Sequence, residues 1–234
     1  MSFEVENKRK KESSLQLFDR SDRMFATGGE ISAARYNLVM GLYICIGFLI
    51  NFAMAYFLKD IILSIHPIAV MIAYFVLTLG GAIITHKSTS PFVSTVSFLI
   101  MSVGMGLLLT YFLTMYEVSM VYTAFGITIG IAAVMTVIAV VKPELFAGIG
   151  SGLGIALIVT VAAELICGLF FRRYFMAFDY IIIAIFCGYI GYDVARAQTY
   201  VKTMQTAIMC AADLYMDLVN VFIRILSIMG KSKK

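Results

Sequence analysis

Asp213, Asp217, Asn220 and Arg224 follow one another at offsets of four, three and four within the stretch AADLYMDLVNVFIRIL, residues 211–226. A helix turns about 100° per residue, so these four side chains share one narrow stripe. The surrounding chain is apolar enough for a lipid bilayer, where an ionisable group at mid-helix costs about 2.5 kcal/mol or more and marks function by default. Two carboxylates, an amide and a guanidinium on one side of such a helix offer oxygen ligands for a hard cation, acids that trade a proton, and a fixed positive charge. Asp193, on the preceding apolar segment, extends the set. A turn centred near Gln205 would bring Asp193 and Asp217 to equal depth. Two carboxyls facing each other in a poorly hydrated interior cannot both ionise cheaply, so the pair holds one proton and titrates as a unit. As metal ligands the two fall short of the roughly six to eight oxygens Ca²⁺ prefers, so a cation there is held weakly and transiently. Weak binding suits a permeation path, because the ion has to leave.

Positioning such groups is the task of the rest of the chain. Of 234 residues, 61% are hydrophobic and 14% charged, against about 25% charged in soluble domains. Mean hydropathy is +0.93. Seven segments are long and apolar enough to span, at approximately 36–58, 67–85, 92–115, 118–141, 146–171, 174–194 and 207–229. Each approaches the ~20 residues needed for a hydrocarbon core of about 30 Å. The connectors between them are short and polar, which forces antiparallel neighbours. The expected fold is therefore an all-α membrane protein, a seven-transmembrane-helix bundle with the C-terminal helix at its centre. A helix whose polar stripe must avoid lipid belongs there. The expected divisions are a polar N-terminal tail at 1–35, the seven-helix domain at 36–230 and a basic tail at 231–234, with no internal repeat.

The first 35 residues lack an apolar core and read as a tail, not a cleavable signal. Eleven Lys and Arg fall on the N-terminal side of the spans and six on the other, which places the N-terminus inside. The net charge of +4 resides largely in the tails, which suits an anionic membrane surface and not nucleic acid. Cys45, Cys167, Cys187 and Cys210 all sit in apolar segments and form neither a disulfide framework nor a metal pattern. Gly148, Gly150, Gly152 and Gly154 make two interleaved small-xxx-small pairs, 148 with 152 and 150 with 154, a signal for close helix packing. Tyr36, Tyr56, Tyr111, Tyr116 and Tyr174 lie near span ends, where an amphipathic ring is at home. Glu164 lies deep in the fifth segment. Asp179, near the start of the sixth, sits where the helix dipole favours a carboxylate.

GYIGYDVARAQ at 188–198 and ADLYMDLVNVFIRILSIMG at 212–230 resemble the sixth- and seventh-helix motifs of the Bax inhibitor family, the transmembrane Bax inhibitor motif proteins. The resemblance is strongest over about a quarter of the chain and points to a bacterial member. It implies a seven-helix bundle with the last helix central, acting as a pH-sensitive calcium leak, with Asp193 and Asp217 as the pH sensor. It also implies a cationic latch near the end of the second helix onto the sixth-helix aspartate. The family's arginine there is replaced by His86, which carries charge only when protonated.

Three functions follow as expectations. The first is a pH-sensitive Ca²⁺ leak past Asp213, Asp217 and Asn220, with Arg224 on the same stripe, gated by the Asp193–Asp217 pair. The direction of its pH response stays open. The second is a proton-coupled cation exchanger with Glu164 or Asp217 as carrier. The third is a regulatory partner of a membrane protease or other membrane protein, contacted through KRKK at 8–11. No enzyme is expected: H-E-x-x-H and G-x-S-x-G are absent, and the aspartates lack a Gly-x-Gly-Asp context. No cofactor is expected, with Ca²⁺ as the permeating ion. The anticipated partners are the lipid bilayer, Ca²⁺, protons and other membrane proteins, and the expected location is the bacterial inner membrane.

Overall fold

The computed structural model describes residues 29–171 and 175–232. Residues 1–28 with the KRKK run, 172–174 and 233–234 lie outside the described residues. The described chain forms α1 (Ala33–Phe57), the short α2 (Lys59–Ser64), α3 (Pro67–Lys87), α4 (Pro91–Leu113), α5 (Val118–Val141), a 3₁₀ turn (Pro143–Leu145), α6 (Gly150–Phe171), α7 (Met176–Thr199) and α8 (Met204–Ser232). All but α2 and the 3₁₀ turn are long and apolar enough to cross a membrane. Their outward faces carry exposed Leu, Ile, Val and Phe along their lengths, a surface that lipid covers and water does not. The protein is an integral membrane protein with seven spans.

Helix ends are set by local chemistry. Ser32 caps α1 by accepting from the Arg35 amide at 3.3 Å. Pro67 and Pro91 occupy the first positions of α3 and α4, where a missing N–H costs nothing. His66 is the N-cap of α3, its Nδ1 accepting from the Ile68 amide at 3.3 Å. At the start of α8, Thr203 and Thr206 bond reciprocally. The Thr206 amide donates to Thr203 Oγ1 at 3.2 Å and the Thr203 amide to Thr206 Oγ1 at 3.0 Å. This is a capping box with threonine in the usual Glu position. Within the spans, hydroxyls of Thr85, Ser102, Thr110, Thr128 and Thr160 return to the carbonyl four residues earlier, as groups without water must.

The last three spans differ most from their expected limits. The fifth begins at Gly150, not near 146, because Pro143–Leu145 makes a 3₁₀ turn and Gly148 takes a φ of 79°, a left-handed conformation that favours glycine. The polar connector expected at 196–205 is mostly helical: α7 runs on to Thr199 and α8 begins at Met204. Polar side chains at span ends already lie beyond the hydrocarbon, so they need not interrupt a helix.

Contacts group the chain into two compact units. One holds α1 to α4 and the N-terminal part of α8 through Tyr215. Here α1 reaches α8 through Tyr36 and Asn51, α3 through His86, and α4 through Phe98. The other unit holds α5, α6, α7 and α8 from Met216 onward. Phe125 of α5, Glu164 of α6 and Asp179 of α7 all touch this part of α8. In both, α8 is the element the others surround. Of its apolar window 78% is buried, against 50% or less for every other span, as a polar-striped helix requires.

Candidate functional site

The stripe on α8 is real in burial but divided in role. Asp217 is buried at 7% exposure, and Asp193 on α7 is half-buried. The chain turns at residues 200–203, earlier than the point near Gln205 that equal depth would need. Gln205 lies inside α8, where its Nε2 donates to the Ser88 carbonyl at 2.8 Å. The antiparallel register of α7 on α8 can be read from a short side chain. Ser227 Oγ lies 3.3 Å from Asp179 Oδ2, which sets residue 189 level with Asp217 and leaves Asp193 one turn, about 6 Å, beyond it. Because that register is measured between side chains, the Asp193 and Asp217 carboxyls stand about one turn apart along the axis, on adjacent spans.

Tyr189 stands where that register puts the gap. It lies within electrostatic range of both Asp193 and Asp217, and a Cβ built on Gly154 of α6 would come within 3.3 Å of its hydroxyl. Sequence reasoning passed over this tyrosine, although its place four residues before Asp193, on the same helical face, was legible. The glycine run is correspondingly split. A Cβ at Gly150 would press to 2.7 Å from the Tyr192 ring, so the 150–154 pair is the close-packed one. Gly148 serves the turn, and Gly152 faces open space.

Asn220 and Arg224 on the stripe each have a described partner. Asn220 Nδ2 donates to the Met216 carbonyl of its own helix at 2.8 Å. Arg224 forks onto Glu164 of α6, Nη1 to Oε1 at 2.8 Å and Nη2 to Oε2 at 3.0 Å, while Nη1 also reaches Asp179 Oδ1 at 3.0 Å. Lys231 Nζ donates to Asp179 Oδ2 at 2.7 Å. Two cations and two carboxylates thus form one neutral cluster. Asp179 has no exposed surface, so helix-dipole stabilisation in the first turn of α7 is only part of its role. Sequence suggested Glu164 as a proton carrier and Lys231 as part of a tail, and the cluster commits both.

In the other unit, His86 Nε2 lies 2.8 Å from Asp213 Oδ1. The expected latch was His86 with Asp193, and the carboxylate the structure describes beside this histidine is Asp213. His86 occupies the last turn of α3, where the helix dipole favours a cation. Nearby, Asn51 Nδ2 donates to the Tyr215 hydroxyl at 2.7 Å, with both residues buried. The Tyr215 ring sits 5.6 Å from both Phe48 and Phe98. Tyr36, expected at an interface, is fully buried and donates to Cys210 Sγ at 3.2 Å, with Lys202 Nζ 5.7 Å from its ring.

Among the described residues, no group of three or more His, Cys, Asp or Glu is disposed to hold a metal ion. A cation at Asp193 and Asp217 would therefore rest on two carboxylates with hydration completing its shell. Among curated proteins the chain finds no match. The family model described as inhibitor of apoptosis-promoting Bax1 does match, over residues 34–234. That stretch reaches all seven spans, the tyrosine–aspartate motif of α7 and the polar stripe of α8, and so the chain belongs to the Bax inhibitor family.

Proposed function

We propose that this protein is a pH-sensitive Ca²⁺ leak, gated by Asp193 and Asp217. The observation that supports the reading is that Tyr189 lies within electrostatic range of both Asp193 and Asp217, in a register that sets the two carboxyls about one helical turn apart on adjacent spans. Sharing a proton, the pair holds α7 and α8 together. Losing that proton sets two negative charges against each other in a medium that screens them poorly, and the helices separate unless a cation enters. A hydrated, two-carboxylate site binds weakly enough to release its ion. On this reading the protein catalyses no reaction, carries no cofactor and lies in a bacterial inner membrane with its N-terminus inside.

Calcium entry into proteoliposomes, followed across pH for wild type, Asp193→Asn and Asp217→Asn, tests it. Each substitution is expected to flatten the pH dependence of the flux. Equal flux with an unchanged pH profile in both variants would reject the gate. A proton-coupled exchanger is the second reading, and the fork of Arg224 onto Glu164 leaves Asp217 as its carrier. Simultaneous pH and Ca²⁺ indicators separate the two, since only an exchanger moves protons in fixed ratio with calcium.

A further inference from the structure

Glu164, Arg224, Asp179 and Lys231 come from three helices and join in one alternating chain of charges, with four contacts of 3.0 Å or less. Ser227 adds a fifth bond to Asp179 at 3.3 Å. The formal charge sums to zero. Each member meets a partner of opposite sign, and Arg224 and Asp179 each meet two. Removing one member leaves the partly buried cluster with a net charge, and removing Arg224 also deprives Glu164 of its fork, whereas removing an opposite pair restores neutrality. The contacts lie in the first turn of α7 and the last third of α8. On α7 they are 14 residues before Asp193, about 21 Å along the helix.

We infer that this cluster is a charge-neutral clasp that fixes α8 to α6 and α7, so that any parting of α7 from α8 beside Asp193 and Asp217 is a hinged opening about a closed end. The inference rests on the gate proposed above. Glu164, Arg224, Asp179 and Lys231 are positioning residues on this account, since none of them touches the permeating ion. The clasp explains why an arginine is carried on the same stripe as the gate. Its charge is spent on holding a register and does not repel cations.

The test compares Glu164→Gln, Arg224→Gln, the double variant Glu164→Gln/Arg224→Gln, and Arg224→Lys in the full chain. Thermal stability in detergent and Ca²⁺ flux against pH in proteoliposomes are both read. Each single Gln variant is expected to lose stability and to leak at the pH where wild type is closed, with flux there raised at least fivefold. The double variant should recover at least half of the lost stability and restore the closed state, because the cluster is neutral again. Arg224→Lys, which keeps the charge and loses the fork, should fall between. A double variant no better than the worse single overturns the clasp, as do single variants with wild-type stability and pH profile. If Asp193→Asn and Asp217→Asn leave the pH response intact, the gate falls, and with it the hinge. The stability recovery in the double variant then still decides whether the four residues act as one neutral unit.

Discussion

Tyr215→Phe removes a single oxygen from the most enclosed part of α8. Tyr215 has no exposed surface, and its hydroxyl accepts from Asn51 Nδ2 at 2.7 Å and bonds Ser102. Ser102 in turn donates to the Phe98 carbonyl at 2.9 Å, so the deletion breaks an ordered chain of bonds. The Asn51 amide is left worst off, because its Oδ1 already has no hydrogen-bond partner. Stranding a buried donor costs about 1–3 kcal/mol. Interhelical hydrogen bonds in membranes are weaker on average, about 0.6 kcal/mol and at most about 1.7. With no alternative partner for Asn51 among the described residues, the expected loss lies toward the upper end of that range, about 1–1.7 kcal/mol, or roughly 5–20-fold in the folding equilibrium. The ring keeps its packing on Phe48 and Phe98, so the variant should fold. Reversible unfolding in mixed detergent micelles measures the difference. Adding Asn51→Leu removes the stranded amide and should recover most of the loss, since replacing both partners is nearly neutral. A Tyr215→Phe variant within about 0.3 kcal/mol of wild type would refute the argument.

Other expectations follow from the same geometry. Gly150→Leu should displace the Tyr192 ring, whose far end a Cβ there would meet at 2.7 Å, and lower thermal stability more than Gly152→Leu, which faces open space; thermal unfolding in detergent distinguishes the two. His86→Phe deprives Asp213 of its described partner and should lower thermal stability, whereas Asp213→Asn keeps a hydrogen bond to Nε2 and should lower it less. Thr203→Val removes the cap that starts α8 and should cost about 1 kcal/mol in the same unfolding assay.

Much of the architecture was legible from residue type and order. The spans announce themselves because an apolar run of about 20 residues has only one favourable place, and every backbone group within it must bond inside the helix. The burial of α8 followed from Asp213, Asp217, Asn220 and Arg224 sharing a face, since such a face cannot meet lipid. The helix limits near 146 and 196–205 were less legible. They depend on a left-handed glycine at 148 and on a threonine pair at 203 and 206, local bonds that composition does not display.

Which charged group meets which was beyond the reach of spacing. A stripe says only that its members face inward, and each can be met by a different helix. His86 stands beside Asp213, and Arg224 forks onto Glu164 while also holding Asp179, a residue whose position in a first helical turn already had a sufficient local reason. The sequence alone determined the fold class, the seven crossings and the membership of the α8 stripe, because those depend on hydrophobic length and helical period. The partners of each polar group, the register that sets Tyr189 beside both Asp193 and Asp217, and the neutral cluster at the far end of α7 were decided by tertiary packing. Opposite charges far apart in sequence choose one another only when folded helices bring them within hydrogen-bonding distance.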